Sequence, residues 1–567
     1  MIRRLSTVAG MTILSLAAGW LVLESGSRGF LAFDQSILFD GGYRVYLGQV
    51  PFRDFYIPTG PVPFWMQAAF FALFSVSYET YLFHAAVVNA LAALLACQWI
   101  RVLYPEARLH AYLGGAVTAV WFYPPFGTPW FEQTAFFFHL LASVLLYKGL
   151  RRELQSAVAS LGGPGRHTLV LIVAAGFIAG LSFLSKQNAG LLSVACCLGV
   201  VLVGTPLSWN RRRLLAATFL AGLSASALLF GTWLYLFSHP GHFQEFFFEI
   251  PSAEGWRRLG DNWLVDFVSD ELSVSSPNRA ASLLAFIIAV GGLSSHLWHR
   301  YRNRAPLLGG TQILTATTIA SLFLLQGMFI HLTVNQAENG FAFCGVMVAL
   351  AMLLVEDLMR PLLRRPGNDP IVLRSAVVLR TSYFLLASVV AVTLIRQGWN
   401  VSWSRQVHDI FWRSRFDDEV IAQALYPVRW AIPTPAARRS GEQINAREID
   451  DLTRFLGAVD GNFFIFPDYT ILYGLTGKTP PQPLVWFHRG LTYPREQWAW
   501  LDHRLVRDLH QHAVDHVVLE EVSLDGTRKR LSDFPSLQRY IRSQFELIEK
   551  IGIFQIYRRK GAAKTDS

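Results

Sequence analysis

Residues 168–205 contain two apolar blocks on either side of a short polar turn. The first block is TLVLIVAAGFIAGLSFLS (168–185), the turn is Lys186-Gln187-Asn188, and the second block is AGLLSVACCLGVVLVGT (189–205). Each block approaches the roughly 20 apolar residues that a helix needs to cross a bilayer. Neither block alternates between apolar and polar residues, as a half-buried strand would. We therefore predict two membrane-spanning helices joined by a tight turn.

The same kind of block recurs along the chain. The sequence has 567 residues, of which 52% are hydrophobic and 16% charged, whereas soluble proteins carry about 25% charged residues. The composition and the blocks predict an α-helical polytopic membrane protein with about 11 transmembrane helices. The N-terminal run lacks a small-x-small cleavage site before Glu24, so we expect a retained first helix. The blocks lie at 6–24, 80–100, 109–122, 131–147, 168–185, 189–205, 214–237, 280–297, 310–330, 340–356 and 376–395.

The net charge of +10 does not indicate a nucleic-acid partner, because the basic residues lie in short clusters between apolar blocks. Such clusters hold loops on the cytoplasmic face. The loops between these clusters contain most of the acidic residues, so the rule predicts a cytoplasmic N-terminus and a C-terminal tail on the other side. Only the turn at Lys186 breaks the alternation. The basic segments are Arg3–Arg4, Arg101–Arg108, Lys148–Arg166, Arg211–Arg213, His299–Arg304 and Arg360–Arg374.

The composition changes near residue 398 to that of a globular domain. We predict a transmembrane domain at 1–397 and a small extracytoplasmic α/β domain at 398–567. No GxGxxG motif or P-loop follows a strand, so a nucleotide site is not expected. The predicted elements are a helix at 442–458, a buried strand at 461–468 followed by the helix-like ILYGLTG, and strands within 516–522 and 545–559.

The first predicted outer loop, 25–79, is dense in carboxylates, aromatic residues, proline and glycine. Asp34 and Asp40 follow the first span closely, and the apolar residues 62–77 predict a helix lying on the membrane surface. A partly desolvated carboxylate at this boundary suits a general base, because its pKa rises towards neutral. The alternative is that both carboxylates cap or solvate the end of the first helix. The loop also contains Tyr43, Gly48, Pro51-Phe52-Arg53-Asp54-Phe55 and Pro58-Thr59-Gly60-Pro61.

Lys186 is a second candidate site residue. An ionisable group held near membrane depth is costly and is by default a functional hypothesis. Lysine binds phosphate as a point charge, so a lipid-linked phosphate would supply the missing countercharge. The alternative is that its stem runs along the apolar surface and its ammonium reaches interfacial water.

The other candidates also have two interpretations. Arg53 and Asp54 bind substrate or, as we favour, pair with each other, and Glu132 binds substrate or caps a span. Arg257 and Arg258 contact a phosphate or anchor the chain at the interface, and His331 and Asn335–Glu338 line a cavity or satisfy helix ends. A metal site is not predicted for His239, His242, Glu245 and Glu249, because no HExxH pattern is present.

Three stretches together resemble the GT-C-type glycosyltransferases, which include protein O-mannosyltransferases and the lipid A aminoarabinose transferase. The first is the loop containing Asp34, Gly48, the run Pro51–Phe55 and Pro58-Thr59-Gly60-Pro61. The second is Lys186-Gln187-Asn188-Ala189-Gly190, and the third is FIFPDYTILYGLTGKTPP (464–481). Many relatives have Asp-Glu where this chain has Asp34-Gln35, which weakens the case for a metal.

The resemblance implies a mannosyltransferase-like enzyme of the bacterial inner membrane. Its donor would be a polyprenyl-phosphate sugar, and its acceptor a glycan, lipid or protein on the periplasmic face. It would invert the anomeric centre, with no cofactor, and Asp34 would be the catalytic base. The substrate-binding candidates are Lys186, Gln187, Asp40, Tyr43, Arg53, Asp54, Glu132, Arg257, Arg258 and His331, and Asp40 is also the weaker alternative for the base.

Two other functions stay open from the sequence. A transporter or flippase of a lipid-linked or small polar substrate predicts internal repeats and ionisable residues in the middle of spans. No repeat is visible, and the charged residues cluster at the ends of the spans. A catalytically inactive scaffold would have no need of Asp34.

Overall fold

The computed structural model describes residues 2–159, 164–273, 275–302, 308–333, 341–363, 370–404, 415–432, 446–494, 498–520 and 531–561. Sixteen helices precede the C-terminal strands in these residues, and a π-helical turn (Gln244–Glu249) joins α10 to α11. They are α1 (Ile2–Gly26), α2 (Ala32–Tyr46), α3 (Val62–Phe74), α4 (Tyr78–Leu103), α5 (Arg108–Trp121), α6 (Phe131–Ala159), α7 (Arg166–Phe183), α8 (Gln187–Leu202), α9 (Trp209–Phe237), α10 (Pro240–Phe243), α11 (Ile250–Leu259), α12 (Trp263–Glu271), α13 (Pro277–Tyr301), α14 (Gly310–Thr333), α15 (Cys344–Leu363) and α16 (Pro370–Ser404).

Each of the eleven apolar blocks overlaps a helix, namely α1, α4 to α9 and α13 to α16. Among the described residues, eight helices are long and apolar enough to cross a membrane: α1, α4, α7, α9 and α13 to α16. The helix α8 is apolar but shorter. The polytopic helical fold is therefore confirmed, whereas the number of eleven spans and their orientation stay predictions.

Buried polar side chains fix the packing of the bundle. Nδ2 of Asn89 on α4 donates to the carbonyls of Ala18 (2.8 Å) and Ala119 (2.9 Å), and its Oδ1 accepts from the amide of Tyr123. A single asparagine thus joins α1, α4 and the end of α5. Such interhelical hydrogen bonds hold helices together where the lipid supplies no hydrophobic driving force between them.

The first loop contains one helix that the sequence did not reveal. Asp34 and Asp40 lie on α2, which is separate from the first span, so neither carboxylate caps the end of α1. The pair Gly41-Gly42 argues against a helix from propensity alone. In the fold these glycines face α3, where a Cβ on Gly41 would lie 2.1 Å from the Phe64 ring. Close packing against α3 therefore requires the small residues. The helix predicted within 62–77 is confirmed as α3.

The C-terminal residues form a small α/β domain, as predicted. Its four-stranded sheet has the order β3 (Asn462–Phe466), β4 (Val514–Glu520), β6 (Phe554–Arg559) and β5 (Phe545–Ile551), in which β3 and β4 are parallel and the other pairs antiparallel. The parallel strand β3 is a continuous apolar run, as expected for a strand covered on both faces. The elements are β1 (Arg415–Ile421), β2 (Arg429–Ile432), α17 (Ala446–Ala458), β3 (Asn462–Phe466), α18 (Ile471–Thr476), α19 (Ala499–Gln511), β4 (Val514–Glu520), α20 (Pro535–Gln544), β5 (Phe545–Ile551) and β6 (Phe554–Arg559).

The first loop lies between the bundle and this domain. The Tyr56 amide donates to the carbonyl of Pro483 at 2.6 Å, and β2 begins with Arg429, which pairs with Glu24 at the end of α1. The predicted boundary at 397/398 lies inside α16, which continues to Ser404. The division into two domains stays a prediction.

Candidate functional site

A cavity of about 260 Å³ lies where the first loop, the α7–α8 turn and the C-terminal domain meet. Its lining comes from segments that are far apart in the sequence, and it combines aromatic rings with charged and amide side chains. The loop before α3 contributes Pro58 and Thr59, and the C-terminal domain contributes Trp486 and Leu491. The remaining lining residues are Trp130, Phe131, Glu132, Lys186, Gln187, Asn188, Phe247, Phe248, Pro251, Ser252, Glu254, Gly255 and Leu332.

Lys186 and Glu132 form an ion pair inside this cavity. Lys186 Nζ lies 3.4 Å from Oε1 of Glu132, and the lysine side chain is 23% exposed whereas the glutamate is 2% exposed. Glu132 Oε2 is buried and accepts no hydrogen bond from the described residues. The structure therefore places Lys186 beside a carboxylate, and leaves its ammonium accessible from the cavity.

The start of α8 adds to the positive character of this position. Lys186 is the N-cap residue of α8, and its side chain makes no capping hydrogen bond. A lysine has no acceptor with which to cap the first amides of a helix. The partial positive charge of a helix N-terminus attracts anions, so the ammonium and the helix end favour the same kind of ligand.

The turn is held against the first loop by Gln187 and Gly60. Nε2 of Gln187 donates to the carbonyls of Pro58 (2.9 Å) and Phe247 (2.6 Å). A Cβ on Gly60 would lie 1.6 Å from the carbonyl oxygen of Leu184, so only glycine permits this approach of the two backbones. Two of the stretches that carry the resemblance, Pro58–Pro61 and Lys186–Gly190, are therefore neighbours in space.

The segment around α11 supplies another paired charge. Arg257 Nη2 lies 2.5 Å from Oε1 of Glu254, which is buried and lines the cavity, whereas Arg257 itself is 56% exposed. The side chain of Arg258 lies outside the described residues. His331 near the end of α14 contacts the rings of Trp263 and Phe267 and precedes Leu332, which lines the cavity. Residues 335–338 also lie outside the described part of the chain.

Asp34 lies in the first turn of α2 and is partly exposed. It does not line the cavity, but the residue before it leads there. The ring of its neighbour Phe33 packs against Trp486 at a centroid distance of 5.2 Å, and Trp486 lines the cavity.

Gln35 takes a structural part. Its Oε1 accepts from the amide of Leu31 at 2.8 Å, and the side chain is fully buried. Gln35 therefore caps the start of α2. Among the described residues, no group of three or more His, Cys, Asp or Glu side chains is arranged to hold a metal ion.

Asp40 forms a buried ion pair that joins α2 to the C-terminal domain. Its Oδ2 accepts from Nε of Arg44 at 3.0 Å, and Nη1 of Arg44 donates to the carbonyl of Gln482 at 2.7 Å. Burial raises the pKa of Asp40 to about 6, although the adjacent guanidinium opposes the rise. Burial next to Asp40 also raises the pKa of Tyr43 to about 12, so Tyr43 stays protonated.

Arg53 and Asp54 pair with each other, as favoured from the sequence. Nη2 of Arg53 lies 2.7 Å from Oδ2 of Asp54, and the same oxygen accepts from the Val50 amide at 2.7 Å. Burial favours the protonated carboxyl, but these hydrogen bonds and the Arg53 charge hold the pKa of Asp54 below its ordinary value. The pair closes the turn that ends at Phe55.

Sequence reasoning missed two parts of the cavity. Glu254 carries no signal, because a single glutamate in an interfacial segment reads as solvated. Trp486 and Leu491 belong to a segment of the C-terminal domain without regular pattern. Only their packing against the first loop brings them to the cavity.

Comparison with known proteins gives a likeness of fold. No family model matches the chain, and no curated protein sequence matches it. The structure of ArnT from Cupriavidus metallidurans bound to undecaprenyl phosphate is 12% identical, with a TM-score of 0.50, over 98% of each chain. ArnT in the apo state is 13% identical, with a TM-score of 0.50, over 97% of this chain and 98% of that chain. At this identity the likeness shows the fold alone: the chain folds like ArnT over almost its whole length.

Proposed function

We propose that this protein is a membrane glycosyltransferase that moves a hexosyl or pentosyl group from a polyprenyl-phosphate donor to an acceptor hydroxyl. The observation that carries the proposal is the position of Lys186. Its ammonium faces a partly aromatic cavity at the N-terminus of α8, in a chain with the fold of a protein whose structure holds undecaprenyl phosphate. A lysine at a helix N-terminus is suited to a lipid phosphate.

The proposed reaction is a single displacement. The acceptor oxygen attacks the anomeric carbon and gives its proton to the carboxylate of Asp34. The bond between that carbon and the phosphate oxygen breaks, and the lipid phosphate leaves with the electron pair. Attack opposite to the leaving group inverts the anomeric centre.

Charge develops on the phosphate as this bond breaks. Lys186 and the N-terminus of α8 stabilise it from fixed positions, which is how preorganised electrostatics lowers a barrier. Arg257 pairs with Glu254, which lines the cavity, and Arg258 follows it in sequence. Gln187 acts indirectly, by holding the lysine turn against Pro58 and Phe247.

Asp34 and Lys186 approach the reacting bond from different sides. Trp486 lines the phosphate cavity and contacts Phe33, the residue before Asp34. We place the sugar next to this indole, with the acceptor reaching it from the Asp34 side. Because Trp486 belongs to the C-terminal domain, this domain forms a wall of the reaction space. The acceptor is a glycan, lipid or protein of the bacterial inner membrane or periplasm.

The test is sugar transfer from a panel of radiolabelled polyprenyl-phosphate sugars to native membrane extract, with purified wild type and Asp34→Asn. Asp451→Asn, at an exposed helix position, is the matched control. Transfer by wild type and control that collapses in Asp34→Asn, with intact folding, supports the enzyme and the base together. Equal transfer by all three proteins moves the base to Asp40 or elsewhere. No transfer from any donor contradicts the proposal and favours a transporter or flippase.

A further inference from the structure

A second cavity lies on the C-terminal domain, away from the cavity at Lys186. It is a shallow groove of about 850 Å³ between α19 and α20. Sites for ligands of drug size have volumes of roughly 300–1,000 Å³. The groove is therefore large enough for a ligand of several sugar rings.

Two helical stripes face each other across this groove. On α19 the lining residues are His503, Val506, Arg507, His510 and Gln511, and on α20 they are Ser536, Arg539, Tyr540 and Ser543. Residues at spacings of three, four and seven lie on the same face of a helix. Each helix thus presents a mostly polar face to the groove, and each face contains an arginine.

No carboxylate is among the described residues that line the groove. The two nearby aspartates of α19 are used elsewhere. Asp502 accepts from the amides of Ser536 (2.7 Å) and Leu537 (2.9 Å) and so caps α20, and Asp508 pairs with Arg504 at 3.2 Å. Among the described residues, Arg539 donates from Nε alone, to the Pro535 carbonyl of its own helix at 3.4 Å.

The planar guanidinium groups of Arg507 and Arg539 fit phosphate or carboxylate oxygens in a bidentate manner. The hydroxyls of Ser536, Ser543 and Tyr540 and the amide of Gln511 add neutral partners for sugar hydroxyls. The lining therefore combines groups that can bind an anion with groups that can bind the hydroxyls of a saccharide.

The helix α19 also contacts the first loop. On the same helix, Trp500 and Arg504 contact the ring of Tyr56 in the first loop. The face of α19 that carries His503 and Arg507 is adjacent to this contact face. A ligand in the groove would thus sit beside the junction of the domain and the bundle.

We propose that the α19–α20 groove binds an anionic saccharide, one that carries phosphate groups, through Arg507 and Arg539. The assignment of this saccharide as the acceptor rests on the proposed function, but the binding itself does not. Binding is measured without a sugar donor, and Asp34→Asn is expected to bind as wild type does. A protein that transfers no sugar and a groove that binds no saccharide would therefore be two separate results.

The experiment measures binding of 6-phosphorylated pentamannose and neutral pentamannose to the full-length protein in nanodiscs of uncharged lipid. The proteins are wild type, Arg507→Gln/Arg539→Gln, and Arg542→Gln, which removes an exposed arginine of α20 outside the groove. We expect the phosphorylated probe to bind wild type and Arg542→Gln at least about tenfold more tightly than the double variant. Both arginines are exposed, and an unchanged thermal unfolding temperature checks that the double variant is folded.

Four outcomes would overturn the proposal. Equal affinity for both pentamannose probes would show that the groove does not select an anion. Binding of the double variant at the affinity of wild type would place the phosphate elsewhere. If inorganic phosphate binds as tightly as the phosphorylated probe, the ligand is a free phosphate. If phosphatidylglycerol vesicles bind wild type but not the double variant, and the phosphorylated probe does not bind wild type, the ligand is a lipid headgroup.

Discussion

Lys186 and Glu132 form an ion pair that joins the N-cap of α8 to the first turn of α6, with Nζ 3.4 Å from Oε1. Because the carboxylate is buried and the lysine reaches the cavity, the pair is asymmetric. Glu132 holds the ammonium in place in the absence of a ligand. In the proposed reaction an incoming phosphate would have to compete with the same carboxylate for Lys186, because both groups carry negative charge.

This competition predicts opposite effects of two neutral substitutions. Lys186→Gln removes the cation and should weaken binding of a short-chain polyprenyl phosphate by at least about tenfold. Glu132→Gln removes the competing charge, and should strengthen binding of the same probe. Titration of purified protein by calorimetry measures both.

The control is Lys550→Gln, which removes an exposed lysine of β5 far along the chain and should leave the affinity unchanged. Weaker binding in both cavity variants would mean that Glu132 helps to position the ligand rather than competing with it. Unchanged binding in Lys186→Gln would contradict the phosphate contact.

Gly60→Ala should separate the first loop from the lysine turn. Its Cβ would meet the carbonyl of Leu184, and backbone atoms can yield only by moving the loop. Such overpacking typically costs about 1–3 kcal/mol, and the displaced loop should also weaken binding of the polyprenyl phosphate. Thermal unfolding in detergent, together with the same titration, measures the two effects.

Gly199→Ala is the matched control for this change. Gly199 lies inside α8, and a Cβ there meets nothing within 4 Å. Alanine is the better helix former by about 1 kcal/mol, so the control should be neutral or slightly stabilising. A Gly60→Ala protein as stable and as active in binding as wild type would contradict the close approach of the two backbones.

Arg44→Gln should destabilise the protein at neutral pH, because it leaves the carboxylate of Asp40 buried without its counterion. Removing one partner of a buried ion pair typically costs about 3–5 kcal/mol. Asp451→Asn breaks an exposed pair with Arg454, and exposed pairs contribute at most about 1 kcal/mol. The apparent unfolding temperature should therefore fall clearly in the first variant and hardly in the second. An equal small shift in both would show that the Asp40–Arg44 pair does not hold α2 to the C-terminal domain.

The raised pKa of Asp40 predicts that the stability of the protein depends on pH. The pKa of Asp40 is raised from 3.8 to about 6 by burial, so between these values the folded protein binds a proton that the unfolded chain has released. The contribution of Asp40 to the free energy of unfolding therefore falls as the pH rises from about 4 to about 6, and is constant above that range. Wild type should gain stability relative to Asp40→Asn as the pH is lowered from 7 to about 4. A difference between the two proteins that stays constant over this range would contradict the raised pKa.

Several parts of the fold follow from the sequence because they depend on local composition. Each apolar block that is long enough to cross a bilayer became a helix, and the runs NFFIF and HVVLE became strands. The turn Lys186-Gln187-Asn188 was identified because a lysine between two apolar blocks is costly wherever the blocks pack. The helix α2 was not identified, because its Gly41-Gly42 pair is explained only by the closeness of α3.

The roles of the individual carboxylates were decided by the tertiary structure. Asp34 and Asp40 are alike in sequence, yet Asp40 is buried against Arg44 beneath the C-terminal domain, whereas Asp34 stays partly exposed. Glu132 meets Lys186, and Trp486 reaches the cavity, only because separate loops pack at one end of the bundle. Length and polarity are properties of a segment and can be read along the chain. The pKa and the partner of a charged group depend on which distant segments remove water from it, and that is fixed only when the chain is folded.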